Sequence, residues 1–312
     1  MEINTKETKL ISAVVYLHND EQRILIFLDK IILVLERHFQ SFEIILVNDC
    51  SFDQSITKIK EATDLKKFNI SIINMSVRQG LEASMNAGID LSMGDFVYEF
   101  DDLNIDYDDS LIIDAYNSIV NGFDIISVSP TKDNTFSSKL FYSTFNKFSR
   151  SKYKLNSERF RILSRRAINR AYSISKSIPY RKALYANSGL SLSTIKYKPN
   201  FNKNRKLANT KDVFRNRMAI NALILYTNLA FKISLWITVA LFCFTLFAGL
   251  YALSLYFGNE KPIEGWTTTM LLISSSFSGL FFISAIIIKY LALIVELIYS
   301  KKTYLIESVE RL

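Results

Sequence analysis

With 312 residues, 49% of them hydrophobic and 22% charged, the chain can build one sizeable core and still has apolar sequence to spare. Its net charge of +8 is uneven: residues 139–217 hold 21 Lys/Arg against Glu158 and Asp212, about +19 for that segment. The two cysteines, Cys50 and Cys243, exclude a disulfide framework and suit a reducing compartment, and the first residues, with Glu2, Lys6, Glu7 and Lys9, do not read as a signal peptide.

Residues 10–17 (Leu-Ile-Ser-Ala-Val-Val-Tyr-Leu) read as a buried strand. His18-Asn19-Asp20-Glu21 then lead into a helix with Ile24, Phe27, Leu28, Ile31, Ile32 and Leu35 at helical spacing. A second strand, 42–47, breaks at Asn48-Asp49-Cys50-Ser51-Phe52-Asp53, where Asp53 is suited to cap the next helix. A third strand covers 70–75, and Arg78-Gln79-Gly80 opens a helix through Leu81, Met85, Ala87 and Gly88. From Gly94-Asp95 a fourth strand, Phe96-Val97-Tyr98-Glu99-Phe100, delivers Asp101 and Asp102 to its carboxyl end. Adjacent carboxylates there can hold a divalent cation, or they can cap a turn.

Alternation at this spacing predicts an α/β fold, a mostly parallel sheet with helices on both faces. Right-handed crossovers place the loops after successive strands on one edge, so 18–20, 48–51, 78–80 and 101–104 should converge on one crevice. Neither a Gly-x-Gly-x-x-Gly fingerprint nor a P-loop is present, which leaves carboxylates to do the binding. A helix over 111–120 should stop at Asn121-Gly122, followed by a buried strand at 123–128.

Beyond Pro130 the alternation fades. Residues 136–148 form an amphipathic, aromatic-rich helical pattern, and Ser164 is placed to cap a helix beginning at Arg165; both read as membrane-surface helices, as does 218–232. Two uncharged apolar runs follow, 233–257 and 270–288, each of about the length that spans a hydrocarbon core of roughly 30 Å. The intervening turn, 258–266, carries Glu260, Lys261 and Glu264, while Arg215, Arg217 and Lys232 flank one side and Lys301 and Lys302 the other. The positive-inside rule puts both flanks in the cytoplasm; Tyr251, Tyr256 and Trp266 fall where interfacial aromatics belong, and Lys289 can snorkel.

In this order, several segments resemble the polyprenyl-phosphate branch of the family 2 inverting glycosyltransferases, which includes dolichyl-phosphate mannose synthase and bactoprenol glucosyltransferases. Val14-Val15-Tyr16-Leu17-His18-Asn19-Asp20-Glu21 is similar to the family's Val-Val-Pro-x-Tyr-Asn-Glu-Glu, and Leu46-Val47-Asn48-Asp49-Cys50-Ser51-Phe52-Asp53 to its Val-Asp-Asp-Gly-Ser-x-Asp. Arg78-Gln79-Gly80 with Gly94-Asp95 resembles its Arg-Asn-x-Gly helix and Gly-Asp strand, and Phe160-Arg161-Ile162-Leu163-Ser164-Arg165 its Phe-Arg-Leu-x-x-Arg. Gly265-Trp266-Thr267 with residues 301–306 is similar to its second-span signature. Tyr16, His18, Asn48 and Cys50 replace the family's Pro, Tyr, Asp and Gly, and Asp101-Asp102-Leu103-Asn104 is one residue shorter than its Asp-x-Asp-Leu-Gln.

The resemblance implies a GT-A, Rossmann-like nucleotide-sugar core over 1–135. A basic acceptor and membrane-interface region over 136–230, a two-helix transmembrane hairpin over 231–300 and a cytoplasmic tail over 301–312 would follow. It implies that Asp49, Asp20 and the backbone near Tyr16 hold base and ribose, with Asn48, Arg78 and Gly80 completing the donor side. Asp101 and Asp102 would hold Mg2+ or Mn2+ on the diphosphate; Glu99 with Asp101, or Asp106 as a third group, are the other arrangements the shortened motif leaves open. Arg161, Arg165 and Arg166 would meet the lipid phosphate or the diphosphate, with Arg165 catalytic.

The implied reaction moves a sugar from a nucleotide sugar, a UDP-sugar first, to undecaprenyl phosphate for cell-surface glycan. It would occur on the cytoplasmic face of a bacterial cytoplasmic membrane, with both termini inside. The expected partners are nucleotide sugar, polyprenyl phosphate and membrane; the spans argue against nucleic acid, and a homo-oligomer is left open. His18 is expected to line the site and His38 to sit on a helix surface. A catalytically impaired membrane scaffold is the alternative that the shortened acidic motif keeps open.

Overall fold

A computed structural model of the chain describes residues 6–131, 136–148, 153–174, 180–200, 265–299 and 304–312, with separate positions between 232 and 250. The chain divides into two compact units, Met1–Ala219 with Lys301–Leu312, and Ile220–Ser300.

The first unit is a mixed α/β sheet with helices packed on its faces. In chain order it runs β1 (Ile11–Leu17), α1 (Ile24–His38), β2 (Phe42–Asn48), α2 (Ser55–Glu61), β3 (Ile70–Met75), α3 (Leu81–Leu91), β4 (Phe96–Phe100), α4 (Ser110–Val120) and β5 (Ile125–Pro130). It continues with α5 (Phe136–Phe148), β6 (Phe160–Ser164), α6 (Arg165–Ile174), α7 (Arg181–Asn187) and β7 (Leu192–Tyr197). Eight strands form one sheet in the order β7-β5-β6-β4-β1-β2-β3-β8, where β8 is Ile306–Arg311. The pairs β1–β2, β1–β4, β2–β3 and β5–β7 are parallel; β6 lies antiparallel between β4 and β5, and β8 antiparallel along β3.

Every residue of β1 is buried, and β2 is buried from Glu43 onward, as central parallel strands covered on both faces must be. On one face α1 buries Ile24, Phe27, Leu28, Ile31, Ile32 and Leu35, the stripe its spacing predicts; each such side chain contributes roughly 1.5–3 kcal/mol of transfer free energy. On the other face α3 comes down so closely that a Cβ on Gly88 would stand 2.3 Å from Val14 Cγ1 and 2.7 Å from Val47 Cγ2. A side chain there would push the helix off the strands. α4 ends at Val120, and Gly122 follows with φ 114°, the left-handed stop expected from Asn121-Gly122. Ser164 Oγ accepts the Ala167 N–H at 3.1 Å, capping α6 as its sequence predicts.

Residues 306–311, within the segment expected as a cytoplasmic tail, form the eighth strand of the sheet. The sheet is mixed: β6 and β8, which come from segments without the alternation, run antiparallel in an otherwise parallel set.

In the second unit, α8 (Trp266–Tyr299) is 34 residues long and contains the uncharged run 270–288, with Phe277, Leu280, Phe281 and Ile288 exposed. Many of its side chains lie outside the described residues, and among the described residues no helix is long and apolar enough to cross a membrane. Most of the run 233–257, nearly all of the turn 258–266 and the interfacial segment 218–232 except Lys232 also lie outside the described residues.

Candidate functional site

The carboxyl ends of β1, β2, β3 and β4 share one edge, since these strands are parallel and adjacent. There the structure gathers the expected donor-side residues. Asp49, fully buried just after β2, accepts three hydrogen bonds, from the Gln79 N–H at 2.7 Å, the Gly80 N–H at 2.9 Å and the Tyr16 hydroxyl at 2.9 Å. Gly80 takes φ 86°, a conformation open to glycine, and this lets two successive N–H groups face one carboxylate. Burial, reinforced by the Asp49 charge, raises the Tyr16 hydroxyl far above its ordinary pKa, so it stays a donor. Asp49 therefore shapes the 78–80 loop rather than presenting a free oxygen.

Asn48 bridges Asn74 Oδ1 at 2.9 Å and the Ser51 N–H at 2.9 Å. Asp20 is buried; its N–H donates to Ser55 Oγ at 2.9 Å and its carboxylate pairs with Arg23. His18 Nδ1 lies 2.7 Å from the Asp49 carbonyl, which can only accept, so that nitrogen carries the proton. Arg78 is exposed at the same edge.

Beside these loops, β4 ends in the acidic motif. Glu99 and Asp101 point the same way by strand alternation, and two buried arginines bridge them. Arg181 reaches Glu99 Oε2 and Asp101 Oδ1, each at 2.7 Å; Arg161, directly opposite Glu99 on β6, reaches Glu99 Oε2 at 2.8 Å and Asp101 Oδ2 at 2.6 Å. Tyr185 donates its hydroxyl to Glu99 Oε1 at 2.7 Å, and Arg181 also holds Glu82 from α3 at 2.7 Å. Glu158 lies 3.0 Å from Arg161 Nε and 3.8 Å from Lys182. Asp102 is held more loosely: the Asn104 N–H donates to it at 2.7 Å and Arg159 at 3.3 Å, while Arg159 forks onto Asp106 at 2.8 and 2.5 Å.

Burial pushes the Asp101 carboxyl up, but Arg161, Arg181 and Lys182 outweigh it and hold the group well below the usual carboxylate range. Burial likewise pushes both arginines down, and the carboxylates restore and exceed their ordinary values. The motif is thus a buried ion-pair network. All four carboxylate oxygens of Glu99 and Asp101 already face donors, and their two negative charges meet two guanidiniums. A doubly charged ion roughly 4 Å from one guanidinium would be repelled by about 8 kcal/mol at an effective dielectric near 20. Among the described residues no three carboxylate, imidazole or thiol groups gather as a cation site. The donor set does not fit Mg2+ or Mn2+ at Glu99 and Asp101, and Asp102 with its 26% exposed side chain offers a single carboxylate.

The expected cluster of Arg161, Arg165 and Arg166 is not gathered. Arg161 lies on the rung of Glu99, whereas Ser164 pairs with Phe96 at the start of β4, about 10 Å away at roughly 3.3 Å per residue. Arg165 donates to the carbonyls of Gly94 and Ser92, the former at 3.0 Å from Nε and the latter at 3.0 Å from Nη2. Arg166 forks onto Asp124 at 2.6 and 2.7 Å. Both tie down the edge opposite the acidic motif. The physical reason is that β6 runs antiparallel to β4, so each step from Arg161 toward Arg166 leads away from Asp101.

Sequence reading missed Glu82, Arg159, Arg181 and Tyr185. One signal was present: Glu82 stands three residues before Met85 and seven before Ile89, on the buried face of α3, and a buried carboxylate needs a cation. Nothing local identifies Arg181 as that cation.

Residues 12–186 match the family described as Glycosyl transferase family 2. An uncharacterized glycosyltransferase from Synechocystis sp. is 25% identical over 182 residues, 56% of this chain and 57% of that protein. An undecaprenyl-phosphate 4-deoxy-4-formamido-L-arabinose transferase from Aeromonas hydrophila subsp. hydrophila is 26% identical over 99 residues, 32% of this chain and 30% of that protein. The chain spans about half the length, or less, of the curated relatives it matches. Among solved structures, a mannosyltransferase from Pyrobaculum calidifontis in complex with GDP-Man and Mn2+ superposes with a TM-score of 0.51 at 12% identity, covering 95% of this chain and 88% of that one, a likeness of GT-A fold alone. With the family match running from the second residue of β1 through most of α7, and so over the whole carboxyl edge just described, the chain belongs to glycosyl transferase family 2.

Proposed function

We propose that this chain transfers a sugar, with inversion, from a nucleotide diphosphate sugar, a UDP-sugar first, to a polyprenyl phosphate such as undecaprenyl phosphate. The observation that carries the reading is the convergence of Tyr16, Asp20, Asn48, Asp49 and the 78–80 loop beside Asp101 and Asp102 on one sheet edge. Family membership and the printed name of the Aeromonas relative support it. The apolar runs 233–257 and 270–288 support action at a membrane surface, which we place at the cytoplasmic face of a bacterial membrane, with α5 and α6 facing the lipid.

In this reaction the 78–80 loop, fixed by Asp49, presents backbone and Arg78 toward the donor. The acceptor phosphate, with a second pKa near 6, is largely ionised at pH 7, so one of its oxygens attacks the anomeric carbon without a general base. The new carbon–oxygen bond forms as the bond to the diphosphate breaks, and that electron pair leaves on the nucleotide diphosphate. A catalytically impaired membrane scaffold is the second reading, favoured by the arginine-saturated acidic motif.

Membranes holding the full chain, incubated with a panel of nucleotide sugars and undecaprenyl phosphate, should yield a charged glycolipid and free nucleotide diphosphate. Nucleotide binding without either product would establish the scaffold reading instead.

A further inference from the structure

The acidic motif combines three independent features. Glu99 and Arg181 have no exposed side-chain surface and Arg161 is 2% exposed, so the network is buried except at Asp101, which is 13% exposed. Each arginine bridges both carboxylates, so Glu99 and Asp101 are each held by two guanidiniums at once. The arginines are also fixed from outside the motif: Arg181 by Glu82 through both its backbone N–H at 3.0 Å and Nε at 2.7 Å, and Arg161 by its place in β6 opposite Glu99. Counting Glu82 and Glu158 with Glu99 and Asp101 against Arg161, Arg181 and Lys182 gives four acids and three bases, which leaves one net negative charge where a hard divalent ion needs a richer oxygen set.

We propose that Arg161 and Arg181 stand where a carboxylate-held cation would be, so that this chain binds its nucleotide diphosphate without divalent metal. The inference rests on the donor reading given above. Arg161 and Arg181 act as positioning residues that fix the end of β4. The counter-charge to the diphosphate comes from cations that the edge presents to solvent, the exposed Arg78 and the 31% exposed Arg23 beside Asp20.

The test titrates Mn2+ into the full chain, alone and with UDP or GDP, reading free Mn2+ by electron paramagnetic resonance and nucleotide binding by calorimetry. The expected result is no stoichiometric Mn2+ on the chain alone, and a nucleotide Kd that changes by less than about threefold between EDTA and excess Mn2+. Arg78→Ala should then weaken UDP or GDP by about tenfold or more under both conditions. The proposal is overturned by one Mn2+ per chain whose affinity falls about tenfold or more in Asp102→Asn, a partly exposed site where the variant keeps its fold, or by nucleotide binding that requires Mn2+. Failure of the donor reading looks different: neither nucleotide binds in either condition, and the arm with Mn2+ alone still decides the metal question.

Discussion

Cys50 takes φ 50°, in the left-handed region that costs a side-chain-bearing residue roughly 1–2 kcal/mol, at the position where the family pattern has Gly. Its thiol contacts the Met75 carbonyl at 3.1 Å, a weak compensation. Cys50→Gly should therefore raise stability by about 0.5–1 kcal/mol, after the added unfolded-state freedom of glycine is set against the relieved strain, as measured by denaturant unfolding. Asp101 makes the opposite prediction. Its folded pKa lies below its unfolded value, so its stabilising contribution is complete above roughly pH 4–5 and is lost as pH falls through the folded value. Asp124, shifted the same way by Arg166 and Ser191 against its own burial, adds to the same limb. Stability should fall steeply below about pH 4, and Asp101→Asn should cost about 3 kcal/mol at neutral pH while flattening that acid limb. At this scale the sequence exposed the acids and hid their partners. Asp49 and Asp101 sit at strand ends that periodicity can locate, whereas Arg181 is one of many cations in a basic segment and meets Asp101 across 80 positions of chain.

Among the elements, β8 closes the sheet beyond β3 and touches the donor loop. The residue just before it, Leu305, exchanges two hydrogen bonds with the Gln79 side chain, each 2.7 Å, while the Gln79 N–H holds Asp49. Asn74 donates to Ser308 and Glu310 at 3.0 and 2.9 Å, and Lys60 pairs with Glu310 at 2.5 Å. The last residues of the chain thus brace the loop that Asp49 shapes. Gln79→Ala should raise the nucleotide Kd about three- to tenfold by freeing that loop, with little change in global unfolding; an unchanged Kd would detach β8 from donor binding. The alternation from β1 to β5 was readable because central strands are unbroken apolar runs and the helices between them carry one apolar stripe. β8 was not readable because Ile306-Glu307-Ser308-Val309-Glu310-Arg311 is an edge strand with mostly exposed side chains, the charged composition that keeps an edge from pairing with other chains. β6 escaped because it is five residues long with Arg161 inside it, and a buried arginine in a strand is unexpected until Glu99 appears opposite.

At the scale of the whole molecule, charge and hydropathy separate along the chain. The segment 139–217 carries about +19, and the two apolar runs follow within the stretch 233–288. A cationic segment near a membrane gains about 1 kcal/mol per Lys or Arg from anionic lipid, which would be a small addition beside the two proposed spans. We therefore propose that the charge serves orientation more than attachment, with Arg215, Arg217, Lys232, Lys301 and Lys302 on the cytoplasmic side. This proposal makes two demands that can fail separately. The full chain should stay with the membrane through alkaline carbonate extraction, and release by that wash would remove the spans. Single-cysteine chains, built after replacing Cys50 and Cys243 with Ser, should also label with a membrane-impermeant maleimide on intact cells at Glu260→Cys but not at Lys302→Cys. The reverse labelling would turn the hairpin over and put the sheet on the side that lacks nucleotide sugars, and labelling at both positions would mean that a single run crosses.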